Sequence, residues 1–424
     1  MTGARSEGER SVAIGGNVSA PINTGDTFFQ ILLDAPRPLA EHLRAAQFQT
    51  IIRERTHGFI GREFVFKEIE RHLTDLNFPS GYILIKGEPG VGKTSLLAEL
   101  VRRHGFVHHF NDRRRGIRSN RTFLGSVCAQ LIVRYRLNYK VLPDESLEDG
   151  GLLSELLEAA QPKGSELPLV ILVDALDEAE DIPNDCGANS LFLPSNLPKG
   201  VFVILTTRER VDYKLLVDQL RVIAITDNGP ENIHDLQQYC KTFLSQNSTL
   251  MAERLTVWGT DYDTFCSGVV DKSEGNFMYL VLVLQAIRDD SEFAATAQVF
   301  DALPAGLRAY YQYHWRVMKS RGSADLQAYY EPVLCLLASA VEPVSIPQLL
   351  VWTKRRWPEL NGNSVLEVVS RWREFLNEDK MPDHTSLYRI YHGSFQDFLN
   401  DEVGLKEFNR EIAESILCRI PYVI

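Results

Sequence analysis

The chain has 424 residues, more than a single hydrophobic core usually supports, so two to four domains are expected. A net charge of −11, with 44% hydrophobic and 24% charged residues, describes a globular protein and argues against broad nonspecific binding to nucleic acid. Six cysteines without a C-x-x-C pair, no charged-then-apolar leader and no apolar run approaching about 20 residues argue against a disulfide scaffold, a cysteine metal site and a membrane span. A cytoplasmic protein is expected.

Residues 1–26 carry glycines, serines and charges with no helical or strand period, which predicts a flexible leader. Leu39, Leu43, Ala46 and Ile51 then recur at helical spacing, predicting one amphipathic helix over Leu39–Glu54 that packs on the following domain. Residues 1–57 are thus expected to be leader and linker helix. Phe59-Ile60-Gly61-Arg62-Glu63 precedes a helical segment with Phe66, Ile69 and Leu73 on one face. Next, the aliphatic run Ile83-Leu84-Ile85 stops at Gly87, and Gly87-Glu88-Pro89-Gly90-Val91-Gly92-Lys93-Thr94 fits G-x-x-x-x-G-K-[ST] before an apolar helix that opens with Ser95. This is a P-loop. Its glycines let successive N–H groups turn toward phosphate oxygens at a helix N-terminus, Lys93 reaches the β- and γ-phosphates, and Thr94 ligates Mg²⁺.

A strand over Phe106–Phe110 and a helix over Phe123–Tyr135 follow, separated by an arginine-rich loop from Asp112 to Arg121 that is read as solvated or salt-bridged, the alternatives being contacts to γ-phosphate or a neighbouring protomer, and nucleic acid. Leu167–Val173 is a continuous apolar run ending in Asp174, as a buried parallel strand would offer a carboxylate to Mg²⁺. Asp177 and Glu178 lie just beyond, where one of them can orient or deprotonate an attacking water. Val201–Leu205 forms the next buried strand. Thr206-Thr207-Arg208 at its end faces the same crevice, so Arg208 either senses a γ-phosphate or caps the next helix. Arg221–Ile225 closes the α/β part, expected to span residues 58–226.

The remainder reads as helical. Pro230 opens a helix in its first turn, Phe277–Ile287 is apolar nearly all round, and an aromatic-rich helix contains Tyr310, Tyr311, Tyr313 and Trp315. After a helical domain over 227–325, helices are expected over Val333–Ala338, Ser345–Thr353 and Ser364–Leu376, then a strand over Leu387–Tyr391 and a helix beginning near His392. Three helices and a β element predict a winged-helix-like module over 326–403, with a tail, or the start of a sensor region, over 404–424. Ser364–Leu376 offers Arg371 and Arg373 beside Glu367 and Glu374, too mixed a face for DNA recognition, so nucleic acid is not expected as a partner.

In order, FIGRE, GEPGVGKTS, LVILVDALDE, VFVILTTRE, SEGNFMYL, LPAGL and HGSFQDFL resemble the STAND class of P-loop NTPases, in particular its NACHT and bacterial NACHT-like branch, across Phe59–Asn400. The resemblance implies an AAA+-like parallel-sheet domain, a helical domain and a winged helix folded around ADP, with effector and sensor modules outside this chain or on other chains. Carried over by position, it implies Phe59, Ile60, Gly61 and Arg62 at the adenine, and Glu88, Pro89, Gly90, Val91, Gly92, Lys93, Thr94 and Ser95 around the phosphates. Thr94 and Asp174 would hold Mg²⁺, Asp177 or Glu178 would support hydrolysis, Arg208 would sense the γ-phosphate, and His392 would hold the ADP β-phosphate. Gly275-Asn276-Phe277 lacks the proline of the related Gly-x-Pro, so no ligand contact is carried over to Gly275. The expected function is an ADP/ATP switch with slow Mg²⁺-dependent hydrolysis and self-association on activation. The alternatives are an AAA+-type motor acting on DNA or protein, and a nucleotide-stabilised scaffold.

Overall fold

The computed structural model describes residues 35–163, 167–180, 188–209, 213–289, 303–319, 324–381 and 384–417. The expected flexible leader lies outside them. Among the described residues no helix is long and apolar enough to cross a membrane.

The first lobe is built on a five-stranded parallel sheet, β1 (Gly81–Gly87), β2 (Val107–Phe110), β3 (Leu169–Asp174), β4 (Val201–Thr207) and β5 (Leu220–Ile225), in the order β2-β3-β4-β1-β5. The aliphatic runs in β1, β3 and β4 are buried almost throughout, because helices cover both faces of a parallel sheet. Register aligns Leu84 of β1 with Leu205 of β4 on one side and Val222 of β5 on the other. The order has a functional result. It inserts the end of β4 between the end of β1, where the P-loop begins, and the end of β3, where Asp174 sits.

The helix expected over Leu39–Glu54 is in fact two, α1 (Arg37–Leu43) and α2 (Ala45–Thr56). Arg44, at φ 48°, takes a left-handed conformation that breaks the helix and redirects the chain. Leu39 and Leu43 then pack with α5 (Asn120–Tyr135), where Gly125 lets His42 approach, and Phe48, Ile51 and Ile52 pack near α4 (Lys93–His104). Phe48 is fully buried beside His108, His109 and Phe110 of β2. These side chains belong to the same apolar cluster as the sheet. The segment before residue 57 therefore completes the core of the first lobe, and α3 (Glu63–Leu73) adds Val65 and Ile69 to it.

The second lobe contains α7 (Pro230–Gln246), α8 (Ser248–Trp258), α9 (Tyr262–Lys272), α10 (Phe277–Asp289), α11 (Leu307–Lys319) and α12 (Ala324–Ser339), following α6 (Gly151–Ala159) of the first. It continues with α13 (Ile346–Thr353), α14 (Gly362–Arg371), α15 (Gly393–Glu402) and α16 (Lys406–Leu417), and a small antiparallel sheet in the order β6-β8-β7. That sheet comprises β6 (Val344–Ser345), β7 (Leu376–Lys380) and β8 (Ser386–Ile390). The helix expected over Ser364–Leu376 instead stops at Arg371 and turns through Arg373–Phe375, and Leu376 opens β7. Tyr311, Trp372, Phe375, Phe395 and Phe398 pack ring against ring, with Phe375 and Phe395 stacked at 4.6 Å. Buried side chains from Leu236 to Phe408 form one cluster, so the expected helical and winged-helix segments share a core.

If α2 is integral to the first lobe, Phe48→Ala should cost it about 3–5 kcal/mol, the usual effect of truncating a buried aromatic. A lowered urea midpoint for unfolding of the sheet would show this.

Candidate functional site

The two lobes meet around a cavity of about 430 Å³. Its wall includes all the sequence-predicted site residues except Gly61 and Glu88. The P-loop forms one end. Gly90 and Gly92 sit at φ 91° and 92°, and α4 begins at Lys93 with no side-chain cap, leaving the first-turn N–H groups for a ligand. Lys93 Nζ folds along the loop and donates to the carbonyls of Gly87 (2.7 Å) and Glu88 (3.1 Å). Burial lowers the Lys93 pKa, opposed by Asp174 and Asp177.

Asp174 is buried at the end of β3, and its carboxylate accepts hydrogen bonds from the hydroxyls of Thr206 (2.6 Å) and Thr94. Burial raises its pKa, while the Thr206 and Thr94 hydroxyls and Lys93 counteract the rise. Ala175, in a left-handed conformation, turns the chain out of the strand and donates its N–H to Thr206 Oγ1 at 2.8 Å. Thr94 and Asp174 thus converge on one part of the cavity wall. Among the described residues no cluster of three His, Cys, Asp or Glu side chains could hold a metal, but Mg²⁺ at such sites takes one or two carboxylates with phosphate and water oxygens.

Arg208 continues from β4 into the cavity wall and is shared. Its Nε lies 3.0 Å from Asp177 Oδ2, its backbone N–H donates to Asp177 Oδ1 (3.3 Å), and Nη2 is 3.9 Å from Glu178 Oε1. Across the lobe boundary, Nη1 donates to Asp397 Oδ2 of α15 at 2.6 Å. Gly393 lies close by, where a Cβ would stand 3.2 Å from Arg208 Nη2. Burial works against the charge on Arg208, but Asp397, Asp177 and Glu178 outweigh it and raise its pKa. Glu178 Oε2 also accepts the Arg113 N–H at 3.0 Å. Two arginines of the arginine-rich loop are salt-bridged, Arg115 to Asp112 and Glu54, and Arg121 to Asp144.

His392 is both a helix cap and a wall residue. Its Nδ1 accepts from the Ser394 N–H (3.2 Å) at the start of α15 and lies 2.7 Å from Ser394 Oγ, which places the proton of a neutral ring on Nε2. At the apolar end of the cavity, Phe59 and Ile60 share the wall with Tyr239, Phe243 and Phe277. Arg62 lines the cavity beside them and also ties the P-loop to α7. Its side chain is 2% exposed, donates to the Val91 carbonyl and to Asn232 Oδ1 (2.7 Å), and lies over the Phe277 ring. Burial lowers its pKa to about 10 against the opposing pull of Asp235 and Asp227. Gly61 serves the same junction, because a Cβ there would lie 2.4 Å from Asp235 Cγ. Sequence reasoning missed Asn232, Asp235 and Asn276. The only local signal was an asparagine at the head of α10, which caps that helix through Tyr279 N–H.

The P-loop between β1 and α4, an aspartate at the end of β3 and the strand of Arg208 between them define a P-loop α/β domain. The family model described as "Nephrocystin 3, N-terminal" matches residues 66–208, about a third of the chain. No curated protein matches it. Among solved structures, a Walker-type ATPase of Pyrococcus abyssi aligns over 81% of this chain and 96% of its own, at 14% identity and a TM-score of 0.39. Drosophila ORC bound to DNA aligns over 84% and 98%, at 14% identity and 0.36. Thermotoga maritima RuvB aligns over 78% and 92%, at 13% identity and 0.30. These are distant likenesses, and the class rests on the loop, the acid and the strand order.

A carboxylate with a raised pKa binds its proton more tightly folded than unfolded. It opposes folding above the raised value, and that penalty vanishes below the ordinary carboxylate range. Asp174→Asn should therefore raise the thermal midpoint of nucleotide-free protein at neutral pH, with the gain fading on acidification. Calorimetry across pH checks this, and an unchanged or lower midpoint at pH 7 would contradict it.

Proposed function

We propose that this chain is an adenine-nucleotide switch, a slow Mg²⁺-dependent ATPase of the STAND type and NACHT-like branch, whose resting form holds ADP between its two lobes. The observation that carries the reading is Arg208, which grips Asp177 and Glu178 on one side and Asp397 of α15 on the other. A γ-phosphate arriving beside the acids competes for that guanidinium. Its gain is Asp397's loss.

Magnitudes assign the parts. Moving an equilibrium from 1:99 to 99:1 takes about 5.5 kcal/mol of differential affinity. With Asp397 54% exposed, its ion pair to Arg208 is of the kind worth about 0–1 kcal/mol, so it triggers release without supplying the clamp. The larger share falls to direct contacts with bound ADP, His392 donating from Nε2 among them. Hydrolysis is slow in this arrangement because Asp177 and Glu178 accept from Arg208 and Arg113, leaving both poorly placed as bases. Mg²⁺, held by Thr94 and Asp174, would neutralise phosphate charge. Opening of the winged-helix-like segment then exposes surface for self-association.

Purified protein should release ADP on denaturation and run as a monomer, and ATP with Asp397→Ala should shift it toward oligomer more readily than wild type. His392→Ala should speed ADP release by roughly 10- to 150-fold, the value of one hydrogen bond to a charged group. An empty site in a constitutive ring, or DNA-stimulated turnover at tens per second, would overturn the switch in favour of a motor.

A further inference from the structure

A loop that aims its N–H groups at one ligand must turn its carbonyls away, and buried carbonyls need donors. Three consecutive carbonyls at the back of this P-loop receive theirs from outside the loop, β1 and α4. Asn276 Nδ2 donates to Pro89 O at 2.8 Å, the Met278 N–H donates to Gly90 O at 3.1 Å, and Arg62 Nη2 donates to Val91 O. The donors are tied together. Asn232 Oδ1 accepts from Arg62 while its Nδ2 donates to the carbonyls of Gly275 (2.8 Å) and Asp227 (2.6 Å), and the Arg62 N–H donates to Asp235 Oδ2 at 2.8 Å. Contact is close enough to dictate residue type. Gly275 sits at φ 82°, where a Cβ would fall 2.1 Å from the Asp227 carbonyl oxygen, and a Cβ on Gly90 would fall 2.5 Å from Asn276 Oδ1.

From this network we propose that Asn276 and Arg62 are positioning residues for phosphate, through which α7 and α10 set the shape of the cradle. They act on the loop by holding its carbonyls in place, not by holding phosphate themselves. The inference rests on the nucleotide reading above and adds a claim that the reading does not need, namely that diphosphate affinity is controlled from the second lobe.

Asn276 allows a clean test, because its two ends do different work. Oδ1 caps α10 by accepting the Tyr279 N–H at 3.2 Å, and Nδ2 holds Pro89 O. Serine caps helices as well as asparagine does but lacks the amide that reaches Pro89. Affinities of full-length wild type and Asn276→Ser for ADP and for adenosine would be measured by competition against a fluorescent ADP analogue. ADP affinity should fall roughly tenfold, the upper end for one lost hydrogen bond between neutral groups, with adenosine affinity unchanged. The ratio of the two affinities is insensitive to the fraction folded, so partial destabilisation does not obscure it. Arg62→Lys, which keeps the charge but loses the planar fork, should lower the same ratio. Unchanged ADP affinity in Asn276→Ser, or equal losses for ADP and adenosine, would overturn the proposal and leave the nucleotide reading standing. Failure of wild type to bind ADP at all would overturn both.

Discussion

Convergence of backbone N–H groups on a single point is the constraint from which most of this structure follows. It requires glycines at positive φ, hence Gly90 and Gly92, and a helix that starts without a side-chain cap at Lys93. It also leaves a row of carbonyls facing backward, which only a neighbouring element can satisfy. The second lobe supplies two of the three donors, with Arg62 of the first lobe the third, and doing so brings Phe277 and Met278 to the cavity wall. One requirement of backbone chemistry thus brings the two lobes together and lines the cleft between them.

Charge is arranged on the opposite wall by a different principle. Asp174, Asp177 and Glu178 cluster within reach of Lys93 and Arg208, and the strand order places Arg208 between the acids and the loop. Arginine suits this place because its fork can serve several carboxylates at once, here on both lobes. Lysine, a single point charge, could not span them.

Features whose chemistry is local were legible in the sequence. The P-loop, the apolar run ending at Asp174 and the polar end of β4 are short motifs in which side-chain type and spacing carry the meaning. Geometry joining distant segments was not. Arg62 looks like an exposed arginine at a helix start, yet the oxygen that meets its backbone N–H belongs to Asp235, 173 residues away. The break at Arg44 escaped notice because arginine gives no sign of a left-handed turn. Strand β7 escaped because Leu376-Asn-Glu-Asp-Lys has no apolar alternation, as suits an edge strand with one face toward solvent. Gly275, from which no ligand contact was carried over, proved to matter for packing, with its neighbour Asn276 reaching the loop.

The two lobes keep separate apolar clusters, one centred on the parallel sheet and one running from α7 to α16, and they meet across a cleft of mixed polar and apolar lining. Cooperativity in unfolding comes mainly from shared apolar contact, so two such clusters constitute two thermal units. A ligand seated in the cleft touches both and binds neither once one has melted, which links their equilibria by mass action. Occupancy of the cavity therefore decides whether the molecule melts as two bodies or as one.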